Sequence, residues 1–132
     1  MGMHHQPLQK SKWTTACTLT AFLLVATLTP APVHDPPRKT PYELDKLFHF
    51  FIHGCFSSAL VRVLEDGREI REAAVVAIIV SIAYGVFLEH LQERVPGRRY
   101  ETGDVLAGAL GSVGWIVVNR KARKSFVIKA RE

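Results

Sequence analysis

Four stretches free of Asp, Glu, Lys and Arg, 14–29, 47–61, 73–88 and 105–119, divide this chain. They constrain its fold more than any single motif does. Each is about 15–17 residues long, slightly short of the roughly 20 that carry a helix across a hydrocarbon core. All but the first can extend as helix into their polar flanks. The alternative, a soluble four-helix bundle, requires a polar face on every helix. Within 73–88 only Ser81 and Tyr84 are polar, which leaves no such face. Averages do not separate the two: 48% of residues are hydrophobic and the mean hydropathy is +0.10, between soluble and membrane values. The distribution predicts an all-α fold, an integral membrane bundle of four transmembrane helices, and 132 residues leave room for one domain.

The net charge of +5 raises the question of nucleic acid, but the basic residues are placed as topology signals. Eleven of the 17 are Lys10, Lys12, Arg62, Arg68, Arg71, Arg120, Lys121, Arg123, Lys124, Lys129 and Arg131; the other two connections hold Arg38, Lys39, Lys46, Arg94, Arg98 and Arg99. The positive-inside rule then sets both termini in the cytoplasm and turns the first and third connections outward. The expected setting is a bacterial inner membrane crossed several times, with the lipid bilayer and no nucleic acid as partner. Cys17 and Cys55 fall in apolar stretches and form no CxxC pair or disulfide framework, so they read as small packing residues. Lys10 and Lys12 ahead of a threonine-rich apolar run, with no Ala-x-Ala site after it, favour an uncleaved anchor over a signal peptide.

Local signals set the boundaries. Residues 1–12 are polar and read as a disordered cytoplasmic N-terminus, and the proline-rich run from Pro30 to Pro37 reads as an extended linker. Helices are predicted over about 13–29, 41–64, 67–95 and 103–119, followed by a basic cytoplasmic tail, 120–132. Thr40 with Pro41 and Glu43 has the pattern of a capped start, as does Asp66 with Glu69. Pro96-Gly97 ends the third helix and Thr102 caps the fourth, with Asp104 in its first turn favoured by the helix dipole. Ala107, Gly108, Gly111 and Ser112 form small-x-x-x-small pairs, a packing face that favours a close intramolecular neighbour. A homo-oligomer is compatible with that face but is not indicated by it.

Charged and hydrogen-bonding groups at the ends of lipid-length segments are costly there and mark a site. Asp45 and Lys46 lie four and three residues before His49, so both reach its side of a helix; Glu89 and Gln92 are also three apart. Glu89 follows a long uncharged run directly and needs a partner such as Lys46, His49 or Arg98 to stay charged. The expectation is one outward-facing polar cluster of Asp45, Lys46, His49, Glu89, Gln92, Arg98 and Asp104. Its alternative is a set of anchors at the headgroup layer with the long basic side chains snorkelling. Asp45, His49 and His53, joined by Glu89 or His90, have the spacing of a metal-binding helix, but paired histidines without an intervening catalytic Glu are a weak pattern. No metal and no cofactor are assigned. Ser57, Ser58 and Ser81 lie deeper with no base in view and read as hydroxyls bonded to helix backbone.

Three blocks, Asp45-Lys46-x-x-His49-Phe50, Glu89-x-x-Gln92-x-x-x-Pro96-Gly97-Arg98 and Asp104-x-Leu106-Ala107-x-x-Leu110-Gly111, in this order, resemble the VanZ-like family of small bacterial membrane proteins. The resemblance covers about residues 41–118. It implies a helical protein of the cell envelope that lowers the action of glycopeptides such as teicoplanin at the outer surface, and no settled reaction comes with it. Members commonly carry Asn four residues after the aspartate, where this chain has Gly108; His53 is not part of the pattern. The leading expectation is a non-enzymatic protein whose cluster binds a lipid headgroup, a lipid-linked cell-wall precursor or a partner. The alternative is a membrane-embedded enzyme acting on a lipid-linked or phosphorylated substrate, with His49 and Glu89 as acid and base and Arg98 and Lys46 on phosphate. A third reading, a structural subunit, uses only the small-residue face.

Overall fold

The computed structural model describes residues 6–30 and 42–129. They form four helices, α1 (Gln6–Leu28), α2 (Tyr42–Leu64), α3 (Ile70–Gln92) and α4 (Thr102–Lys129), with no strand among the described residues. α2 is central and touches the other three, most extensively α4; α3 also packs on α4, and α1 lies against α2 and α3. Ala16 of α1 meets Ala59 and Val63, while Leu23 meets Phe56 and Leu88. Chain direction therefore alternates. The C-terminal ends of α1 and α3 share one end of the bundle with the N-terminal ends of α2 and α4.

α2 and α3 are long and apolar enough to cross a membrane. Among the described residues the interior mixes hydroxyl-bearing and apolar side chains: Ser57, Ser81 and Ser112 are fully buried beside Leu23, Phe56, Leu88 and Ile116, whereas Phe48, Phe51, Ile79, Phe87, Leu106 and Leu110 are exposed. Small residues let helix backbones approach without a large apolar core between them. The α2–α4 crossing shows how closely: a Cβ on Gly111 would overlap the Phe50 carbonyl, and one on Gly54 would sit 3.2 Å from the Gly111 carbonyl oxygen. Gly108 and Gly111 thus serve contact between helices of the same chain.

Several boundaries differ from the sequence reading. Residues 6–12, expected to be disordered, belong to α1, whose first turn tolerates Pro7; Lys12 reaches the α2–α3 turn, Nζ 2.9 Å from Asp66 Oδ1. Asp66 is therefore an ion-pair partner and not a cap. Gly67, at φ +85°, carries the turn onward, and α3 starts after Glu69, which makes no side-chain cap bond. α3 ends at Gln92, three residues before the expected stop at 95, because the Arg94 and Val95 N–H groups donate to the Leu91 and Gln92 carbonyls in a tighter turn. Thr102 is the first helical residue, and the Glu101 carbonyl accepts from the Asp104 N–H at 3.0 Å. α4 runs on to Lys129, through most of the expected tail; no Gly or Pro follows Asn119, and Lys and Arg favour a helix and its C-terminal end. Cys17 and Cys55 are free and exposed on the outside of the bundle, not packed within it. Thr40, Pro41 and positions 31–37 of the linker lie outside the described residues, as do 1–5 and 130–132.

Candidate functional site

The shared end of the bundle holds a cavity of about 170 Å³. Its polar lining comes from Thr27 of α1, Asp45, His49 and His53 of α2, Ser81, Glu89 and Gln92 of α3, Asp104 of α4 and Arg98 of the α3–α4 connection; Leu23, Phe48, Leu88 and Val105 are among its apolar lining. Six of the seven residues expected to form a polar cluster thus line one space. The seventh, Lys46, lies at the rim, with Nζ 4.0 Å from Glu101 Oε2.

The α3–α4 connection folds the site together. Gly97, at φ +81°, turns the chain so that the Arg98 N–H donates to the Val95 carbonyl at 3.1 Å. The connection then runs back over the end of α3, and the Glu101 N–H donates to Glu89 Oε2 at 3.1 Å. Glu89 is buried. With its amide nitrogen facing that carboxylate, Gln92 donates to Glu89 Oε1 at 3.1 Å and accepts from Arg98 Nη1 at 3.3 Å. That orientation is the one its neighbours satisfy. Glu89, Gln92 and Arg98 therefore form one hydrogen-bonded run, with the backbone of the connection as its fourth member.

Across the cavity, His49 Nε2 stands 3.8 Å from Asp104 Oδ2. Asp45, one turn before His49, brings a carboxylate oxygen to the same place; one ligating atom from each of the three lies within 4.8 Å of the others. Asp104 is 4% exposed, and its Oδ1 has no hydrogen-bond partner among the described residues, as is true of Arg98 Nε. The lining carries three carboxylates against one guanidinium. Its field favours a cation unless a ligand brings its own positive charge. The metal-like series of the sequence is rearranged: Asp104 joins Asp45 and His49, while His90 is exposed, bonds its own helix at the Val86 carbonyl and stacks edge-on with Tyr100.

His53 closes the cavity from below. Its ring lies parallel to that of His49 at 6.2 Å, and its Nδ1 is 3.2 Å from Ser81 Oγ. Ser81 Oγ is 2.9 Å from Ser112 Oγ, which in turn lies 2.9 Å from the Gly108 carbonyl. One proton order satisfies this run: Ser112 donates to the carbonyl, Ser81 to Ser112, and the Nδ1–H of a neutral His53 to Ser81. Ser81 thus joins a side-chain network, where a backbone bond was expected; Ser57 does bond backbone, donating to the Gly54 carbonyl at 3.0 Å. A Cβ on Gly85 would lie 3.0 Å from His53 Cε1, and one on Gly108 would lie 2.9 Å from His53 Cδ2. The imidazole fills the space that any side chain at Gly108 would need.

The sequence reading missed Glu101, Gly85 and the His53–Ser81–Ser112 run. The three members of that run do stand out as hydrogen-bonding residues inside apolar stretches, which is a usable signal. Glu101 acts on Glu89 through its backbone N–H, and no residue-type pattern marks that. No family model matches this chain, and neither a curated protein nor a solved structure matches it.

Proposed function

We propose that this chain is a VanZ-like, multi-pass protein of the bacterial inner membrane, with four spans and both termini cytoplasmic. Its cavity takes the headgroup of a membrane lipid or of a lipid-linked cell-wall precursor. The observation that carries this reading is the cavity's composition: hydrogen-bonding groups from all four helices and Arg98 line it together with Leu23, Phe48, Leu88 and Val105. A ligand with a polar head and an apolar stem matches both. The exposed apolar surface around small and hydroxyl-bearing contacts supports four spans, and the distribution of Lys and Arg supports the orientation. Arg98 provides a fork for phosphate, and the Glu89–Gln92 pair supplies groups for hydroxyls or an amine. Holding such a precursor at the outer face would lower teicoplanin susceptibility by changing what the drug can reach.

The test is native mass spectrometry of the purified chain with its co-extracted lipids, beside teicoplanin sensitivity of a host whose surface the drug reaches. Glu89→Ala and His49→Ala are expected to lose retained lipid and shift sensitivity while membrane insertion is unchanged. Unchanged sensitivity on deleting the whole protein would overturn the resistance role, and a chain that retains no specific lipid would overturn the headgroup reading.

One observation favours the enzymatic alternative as a second reading. His49, Glu89 and Arg98 share one cavity, which acid–base chemistry on a phosphorylated headgroup requires. Turnover of a lipid-linked diphosphate by the wild type, abolished in His49→Ala, would select it.

A further inference from the structure

We propose that Asp45, His49 and Asp104 form a binding site for a divalent transition-metal cation of the Zn²⁺ or Mn²⁺ class. The proposal goes beyond the headgroup reading and does not depend on it. Three observations carry it. The first is convergence: one ligating atom from each side chain lies within 4.8 Å of the other two, and His49 Nε2 is 3.8 Å from Asp104 Oδ2. Bonds of about 2.0–2.2 Å place neighbouring ligand atoms about 3.0–3.5 Å apart in tetrahedral or octahedral spheres. Asp45 is exposed, which leaves its side chain room to turn toward the other two.

The second is an orphaned acceptor. Asp104 is 4% exposed and lines the cavity, yet its Oδ1 has no hydrogen-bond partner among the described residues. A buried carboxylate oxygen left in that state is costly, and a cation beside it removes the cost. The third is charge. Asp45, Glu89 and Asp104 line the cavity together with one guanidinium, Arg98, and Lys46 Nζ lies 4.0 Å from Glu101 Oε2. Glu89 is engaged by the Glu101 N–H and Gln92, which leaves Asp45 and Asp104 as the carboxylates available to a metal. One imidazole with two carboxylates suits Zn²⁺ or Mn²⁺ better than the all-oxygen preference of Ca²⁺ or Mg²⁺. All three side chains line the cavity, so water or a ligand oxygen there would complete the coordination of a bound ion.

The experiment is calorimetric titration of ZnCl2 and MnCl2 into the full chain, purified in detergent without a histidine tag and stripped with chelator. The expected result is a saturable site in the wild type that weakens at least tenfold in Asp45→Asn and in His49→Gln. His90→Ala, which alters an imidazole outside the cavity, is expected to bind as the wild type does. Because Asp104→Asn can disturb the fold, the exposed Asp45 provides the decisive variant, with circular dichroism confirming unchanged helix content. The wild type and an Asp45→Asn/His49→Gln pair binding alike would overturn the proposal and assign any uptake to other histidines, and so would the absence of saturable binding. Lipid retention is measured separately, so failure here leaves the headgroup reading standing and loss of lipid leaves the metal result intact.

Discussion

Gly108, Gly111 and Gly114 lie on one helix, so a single substitution made at each separates packing from helix propensity. Replacing Gly with Ala in a helix interior contributes about 1 kcal/mol of stability through backbone entropy. At Gly114 that gain is unopposed, since the nearest atom to a new Cβ is Phe50 Cζ at 3.8 Å, an ordinary contact. Gly114→Ala is expected to stabilise by about 0.5–1 kcal/mol. At Gly111 the new methyl overlaps the Phe50 carbonyl, a backbone group that no rotamer change can withdraw. α2 and α4 must move apart, and with them the Ser57–Ser112 contact at 3.4 Å. Overpacking costs about 1–3 kcal/mol even where side chains can yield. Gly111→Ala is therefore expected to destabilise by at least about 2 kcal/mol despite its gain in propensity. Gly108 falls between, because the atom it meets is a side-chain carbon of His53 at 2.9 Å. The assay is unfolding in mixed micelles, followed by circular dichroism. If Gly111→Ala proves as stable as the wild type, or the order of the three is reversed, the close crossing of α2 and α4 is refuted.

Further measurements test the site and the turns. Glu89→Ala strands the Glu101 N–H and is expected to destabilise by about 1–3 kcal/mol, while Glu89→Gln keeps an acceptor oxygen and costs less; the same unfolding assay distinguishes them. His53→Ala frees the space beside Gly108, so it should relieve the Gly108→Ala penalty, giving a coupling of about 1 kcal/mol or more in a double-mutant cycle. The Lys12–Asp66 pair is exposed, and Asp66→Ala is expected to change stability by less than about 1 kcal/mol, with the small effect falling further in high salt. In a chain lacking Cys17 and Cys55, Gly97→Cys is expected to react with an impermeant maleimide from outside intact cells and Asp66→Cys only after lysis. The opposite labelling would invert the proposed topology.

Much of the site was legible because long helices make position along the chain a measure of distance along the bundle. Asp45, Glu89, Gln92 and Asp104 each lie near the end of a charge-free stretch, so alternating chain direction alone brings them to one end. Arg98 followed from Pro96-Gly97, which had to turn the chain back. What escaped was contact at the atomic scale. Asp104, and not His53 or Glu89, completes the Asp45–His49 group, because rotation of each helix about its axis decides which side chains face each other. Helix ends were misplaced by up to ten residues, as at α4, since composition marks where charge begins and not where backbone bonding stops.

The four uncharged stretches, their order and the polar residues at their ends determined an all-α bundle with a polar end before any coordinates. They did so because burying a charge in an apolar medium is costly at every position, whatever the packing. Only the tertiary structure decided that those stretches enclose a cavity, that one Asp104 oxygen has no hydrogen-bond partner among the described residues, and that His53 occupies the space beside Gly108. Those outcomes rest on helix rotation and on sub-ångström clearances between side chains from distant parts of the chain, which no local pattern records.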